Sequence, residues 1–262
     1  MLRRQFIKSG LWCLLGGFGS LHPFLARCAG ADATKTGSPY RIALIIDDIG
    51  YSRRRARLFL DLEFPMTFSI LPHLPYSSRL AAEINDRGHE IMLHQPMEPR
   101  NPRLDPGPGA LYVGDGFERI ERVVQHNLAS VPNARGVNNH MGSRFTCHLA
   151  EVQTTLELVR RTGLFFIDSR TSDRSIAYRT ARQMSINSSR RDIFLDNVRD
   201  ETAVLLQLVK ARRQAEIHGH AVAIGHPYPE TAAAIGRFAR ALVGSDIRLV
   251  YASDLTASQG FA

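Results

Sequence analysis

The chain has 262 residues but only three cysteines, and two of them, Cys13 and Cys28, lie near its start. Once a leader is removed only Cys147 is left, so no intramolecular disulfide can staple the fold and the hydrophobic core must hold it. The sequence also lacks an apolar run of the ~20 residues that a membrane-spanning helix needs. Its first apolar stretch, Leu11 to Phe18, is short and broken by Gly16 and Gly17. No lysine- or arginine-rich run with interleaved aromatics follows. The formal charge of +8 is inflated by Arg3, Arg4, Lys8 and Arg27, and without residues 1–31 there are 29 basic against 25 acidic side chains. A nucleic-acid partner therefore has little support. No internal repeat or low-complexity tract is present.

What is there begins with Arg3-Arg4-Gln5-Phe6-Ile7-Lys8, an apolar run and the small residues Ala29-Gly30-Ala31. This layout is that of a cleavable export signal, and its adjacent arginines resemble the twin-arginine type, which carries proteins already folded. The expected organisation is an export signal over 1–31, a small polar linker over 32–39, one domain over 40–256 and a tail over 257–262. The twin-arginine export machinery is then a partner, and the expected location is periplasmic or extracellular, with no stable membrane insertion after cleavage.

Within the domain, short apolar runs alternate with longer amphipathic ones. Strands are predicted at 41–46, 66–70, 90–93, 136–138, 164–167, 193–195, 221–224 and 247–250, and helices at 53–62, 77–87, 117–129, 149–161, 175–182, 201–218 and 229–242. The strand runs are nearly continuous in hydrophobicity, as buried parallel strands are. Such alternation means an α/β protein, either an open doubly wound sheet or a barrel. Pro96, Pro99, Pro102, Pro106 and Pro108 fall in one stretch, 96–116, where a loop that lids or lines a site is expected.

The polar residues favour the barrel. Asp47-Asp48, His94, His140, Asp168, Asp196 and His226 each follow a predicted strand, and parallel α/β barrels gather their active sites at that carboxyl end. An open sheet would spread them along a line, ~4.8 Å per strand. Two adjacent carboxylates at the end of an apolar strand repel and lose solvation unless a cation or proton compensates. A metal ion removes that cost, although Asp48 or Ser52 could instead cap the following helix. One carboxylate with two imidazoles from other strands leaves coordination positions open, as a catalytic ion requires.

In this order the chain carries Ile45-Ile46-Asp47-Asp48-Ile49-Gly50, Pro96-Met97-Glu98-Pro99, Asn138-Asn139-His140-Met141-Gly142-Ser143, Phe166-Ile167-Asp168-Ser169-Arg170-Thr171, Phe194-Leu195-Asp196-Asn197 and Ile224-Gly225-His226-Pro227. With these motifs it resembles the divergent polysaccharide deacetylase family from about Arg41 to Asp254. The resemblance implies a single-domain, distorted seven-stranded β/α barrel of the NodB-like deacetylase type, one divalent metal ion, zinc being the first expectation, and removal of N-acetyl groups from an envelope glycan. It implies Asp47 as catalytic base, with Asp48 and His94 as metal ligands. The fifth residue of the related His-x-x-x-His motif is here Glu98, which can also bind zinc; the resemblance implies the divergent family's own histidine, His140, as third ligand, with Glu98 the alternative and otherwise near the ion or the substrate. Asp168 is expected to orient His226, which protonates the leaving amine. Asn139, Ser143 and Arg170 are expected near the substrate. The alternative is a catalytically silent envelope carbohydrate-binding or regulatory protein on the same barrel.

Overall fold

The computed structural model describes residues 40–256; the expected export signal, linker and tail lie outside the described residues. Among the described residues there are nine strands: β1 (Tyr40–Ile49), β2 (Thr67–Ile70), β3 (Glu90–Met97), β4 (Gly136–Met141), β5 (Phe165–Asp168), β6 (Ser188–Arg190), β7 (Ile193–Phe194), β8 (His220–Gly225) and β9 (Ile247–Val250). Between them run α1 (Arg53–Leu60), α2 (Ser77–Asp86), α3 (Phe117–Ser130), α4 (Leu149–Arg161), α5 (Ala177–Gln183), α6 (Glu201–His218) and α7 (Pro229–Ala241). No helix among the described residues is long and apolar enough to cross a membrane.

All the strand pairs are parallel, in the order β6-β5-β4-β3-β2-β1-β8-β7, with β9 on β1. The two ends of that path, β6 and β7, are neighbours in the chain, so the sheet must curl until its edges meet. The seam lies between two residues: the N–H of Arg191 donates to Asp168 O on the β5 side, and the N–H of Asp192 donates to Val222 O on the β8 side, both at 2.9 Å. The architecture is a parallel-stranded, curled incomplete barrel. Its strand count differs from the expected seven because the sixth stave is broken at the seam and β9 is added beside the amino-terminal half of β1.

Side chains alternate across each strand, and two apolar layers result. Ile42, Leu44, Ile46, Leu93, Val137, Phe166 and Leu195 face the helices. Ala43, Ile45, Met92, Ile167, Val222 and Ile224 fill the interior. The helices lock on at their ends: Ser52 Oγ caps α1 through the N–H of Arg55, and Asp200 caps α6 through the N–H of Ala203. Because Ser52 does the capping, Asp48 is left for other work.

The proline-rich stretch departs from its expectation in two respects. Pro96 belongs to β3, and residues 98–116 do not line the cavity at the carboxyl end of the strands. The loop is tied instead to α3: Asn127 Nδ2 donates to Gly109 O and Gln95 Oε1, and Gln95 Nε2 donates to Gly109 O. Gly109 has φ of +73°, and a Cβ there would lie 2.2 Å from Asn127 Oδ1.

Candidate active site

The same alternation aims the polar residues at the carboxyl end. Asp47 continues the inward series Ala43, Ile45; His94 follows Met92; His140 follows Asn138; His226 follows Val222 and Ile224. An undisturbed strand would send Asp48 outward. It does not, because Asp48 has a left-handed backbone (φ 57°) and the β1–β2 register shifts between Ile46 and Ile49. Aspartate tolerates that conformation better than most residues, and it lets two neighbouring carboxylates serve one site.

Three ligand atoms from three strands converge. Asp48 Oδ1 is 3.0 Å from His140 Nδ1 and 3.3 Å from His94 Nε2, and the two nitrogens are 3.1 Å apart. With metal–ligand bonds of 2.0–2.1 Å in a tetrahedron, ligand atoms stand about 3.3 Å apart, so the triangle has the size that a divalent ion needs. Asp48 Oδ1 is buried with no hydrogen-bond partner beyond the two imidazoles, an arrangement whose cost a bound cation would remove. The residues therefore fit the implied ion. Burial opposes ionisation of Asp48, but the hydrogen-bonding and charge of His140 and His94 outweigh it and hold the carboxyl far below its ordinary range. Burial likewise pushes His94 down, while Asp47, Asp48 and Asn138 together raise it.

Asn138 sets the ligand beside it. Its Nδ2 donates to Asp47 Oδ1 at 2.9 Å and to Ser169 Oγ at 3.1 Å, so its Oδ1 accepts from His94 Nδ1 at 2.7 Å. With the proton on Nδ1, the Nε2 lone pair of His94 faces the triangle. The same amide holds Asp47, which is 3% exposed.

On the other side stands His226. Its Nδ1 is 2.9 Å from Asp196 Oδ1, while Asp196 Oδ2 accepts from the His226 N–H and from Thr231 Oγ1. Burial lowers the imidazole's pKa, but Asp196, with smaller help from Asp47 and Asp48, raises it to about 9. Its Nε2 turns toward the triangle, 3.8 Å from Asp48 Oδ2.

The expected partner of this histidine was Asp168, and that expectation is corrected. Asp168 shares the parity of Phe166 and points away from the interior, where it accepts from Ser175 Oγ, Tyr178 N–H and Arg170 N–H. It anchors the start of α5. Glu98 is corrected too: its carboxylate accepts from Val113 N–H and Arg144 Nη1 and binds the loop, not the triangle. Ser143 Oγ accepts from Arg100 N–H, outside the main cavity. Asn139 Oδ1 accepts from Ser169 N–H, so it ties β4 to the end of β5, and Asn139 and Arg170 both line the cavity of about 440 Å³ that holds Asp47, His94, His140 and His226. Sequence reasoning gave no role to Asn138 and Asp196; counting inward and outward positions along β4 and β7 would have found both.

From residue 44 to residue 256 the chain matches the divergent polysaccharide deacetylase family. It belongs to that family. An uncharacterized protein of Escherichia coli, YibQ, is 32% identical over 215 residues, 82% of this chain and 67% of that protein. Among solved structures, an uncharacterized Agrobacterium tumefaciens protein, ATU2773, superposes with a TM-score of 0.78 at 26% identity, over 82% of this chain and 89% of that one. A family 4 carbohydrate esterase from Streptomyces lividans, solved with acetate, shares the fold at a TM-score of 0.51 and 14% identity, over 83% of this chain and 95% of that one. This member of the divergent polysaccharide deacetylase family thus shares that fold at low identity.

Proposed function

We propose that the chain is a zinc-dependent deacetylase that hydrolyses N-acetyl groups on an envelope glycan. The observation that carries this reading is the triangle of Asp48, His94 and His140, flanked in one cavity by Asp47 and by the Asp196–His226 pair. Held by those three residues, a divalent ion would polarise the acetamide carbonyl and make bound water more acidic. Asp47, buried and oriented by Asn138, accepts the proton as water adds to the carbonyl carbon. His226, held as imidazolium by Asp196, gives its Nε2 proton to the amine nitrogen as the C–N bond breaks, leaving acetate and a free amino sugar. Such paired proton-transfer groups have no use in a protein that only binds sugar.

Metal analysis and acetate release from peptidoglycan fragments and chitooligosaccharides test this. The expected result is about one divalent ion per chain, with acetate released. Asp47→Asn should keep the ion and slow release by ~10²–10⁴-fold. A metal-loaded protein that releases no acetate from any of these polymers is instead the silent binder. The twin-arginine-like leader supports an envelope address: residues 1–36 fused to a reporter that must fold before export should deliver it to the periplasm, and replacing Arg3 and Arg4 by Lys should stop delivery.

A further inference from the structure

One wall of the catalytic cavity is positively charged. Arg170 and Arg191 line it with Asp47, His94, His140 and His226. Arg191 is fixed by carbonyls: its Nε donates to Ser169 O at 2.7 Å, its Nη2 donates to Arg170 O at 2.8 Å, and its guanidinium lies 5.1 Å over the ring of Phe194. Those carbonyls orient the guanidinium without neutralising it. Burial and the charge of Arg170 both disfavour its protonated form, against a weaker pull from Asp47, Asp168 and Asp173. Asp47 and Asp168 are engaged by Asn138 and by Ser175 and Tyr178 respectively. Among the described residues, neither arginine makes an ion pair with a carboxylate.

Arg170 follows β5 with a left-handed backbone (φ 47°) and borders both this cavity and a neighbouring one that includes Arg100, Thr171 and Asp173. Two partly buried like charges that lack an ion-paired carboxylate are unfavourable until an anion joins them. A guanidinium fork matches a carboxylate with two parallel hydrogen bonds. We infer that Arg170 and Arg191 form a subsite for a carboxylate carried by the glycan beside its N-acetylated sugar, so that the substrate is an acidic polymer and not a neutral one. This rests on the deacetylation proposed for the same cavity. The carboxylate can come from a lactyl ether or peptide substituent, as on muramic acid, or from a neighbouring uronic acid.

Calorimetric titration of the full-length, metal-loaded protein separates these cases. The probes are three tetrasaccharides: neutral N-acetylglucosamine, alternating N-acetylglucosamine and N-acetylmuramic acid, and alternating N-acetylglucosamine and glucuronic acid. At least one acidic glycan should bind about 10- to 100-fold tighter than the neutral one, the range of a hydrogen bond to a charged group, and added salt should shrink the advantage. The tighter of the two acidic probes identifies the source of the carboxylate. Arg170→Gln should remove most of the preference, and Arg170→Lys should keep part of it. Equal affinity for all three glycans, or a preference untouched in Arg170→Gln, overturns the subsite. Acetate is assayed on the same samples: selective binding without release sinks the deacetylation and not the subsite, whereas equal release from neutral and acidic glycans does the reverse.

Discussion

At the residue scale, Asn138 and Asp196 hold the groups to which the proposed chemistry is assigned. Replacing Asn138 by Ala strips His94 Nδ1 of its acceptor and Asp47 of its donor at once. Partners of metal-bound histidines typically contribute 10–100-fold to affinity, so metal titration of Asn138→Ala should show a loss of roughly that size. Asp196 and Asp168 make a sharper pair, since both are buried acids at the carboxyl end of a strand. Asp196→Ala leaves His226 without its carboxylate and should depress turnover far more than metal binding. Asp168→Ala should do the opposite: it removes the acceptor for Ser175, Tyr178 and the Arg170 N–H and should cost about 1–3 kcal/mol of stability, with turnover of a neutral glycan largely kept. Thermal melts and acetate assays on the two variants, run together, decide which carboxylate serves the imidazole. Spacing alone did not separate them, since each acid ends an apolar run; the parity of the strand did.

At the element scale, the elements were legible because helix-period and strand-period patterns rarely conflict here. The expected strands at 41–46, 90–93 and 136–138 lie inside the longer β1, β3 and β4. Each strand outlasts its apolar run because its last residues are the polar ones that build the site. Hydrophobicity therefore ends where function begins. The loop after β3 was expected to cover the site because of its prolines, yet Gln95 and Asn127 pull it toward α3. Neither side chain advertises that pairing, which needs residues 32 positions apart to meet. Gly109→Ala tests it, because the new methyl collides with Asn127 and the positive φ strains any Cβ. The variant should melt earlier, with amide exchange at Gln95 and Asn127 accelerated and metal affinity unchanged.

At the scale of the whole molecule, the site depends on a curled sheet. β1, β3 and β4 bring the candidate metal triangle, and β8 brings His226 beside it. A metal held by three strands should stabilise the folded state by mass action, about 2.7 kcal/mol at an ion concentration 100-fold above Kd. Chelation should therefore lower the melting temperature, and re-addition of zinc should restore it. At the seam, β6 and β7 are not paired with each other, and Arg191 and Asp192 join the two sides. Asp192 reinforces the seam, since its Oδ2 accepts from the Val222 N–H. Asp192→Ala should raise hydrogen exchange at Val222 before any other β8 amide and cost about 1–3 kcal/mol. The sequence by itself determined the parallel α/β class, the acids and imidazoles at the strand ends, and the set Asp48, His94 and His140, because apolar periodicity and local motifs are properties of short segments. Only the tertiary structure decided that Asp196 and not Asp168 meets His226, that Glu98 serves a loop, and that two arginines face the cavity without an ion-paired carboxylate. Those outcomes turn on which face each side chain takes and on contacts between residues distant in the chain, and both are fixed only when the sheet curls and its edges meet.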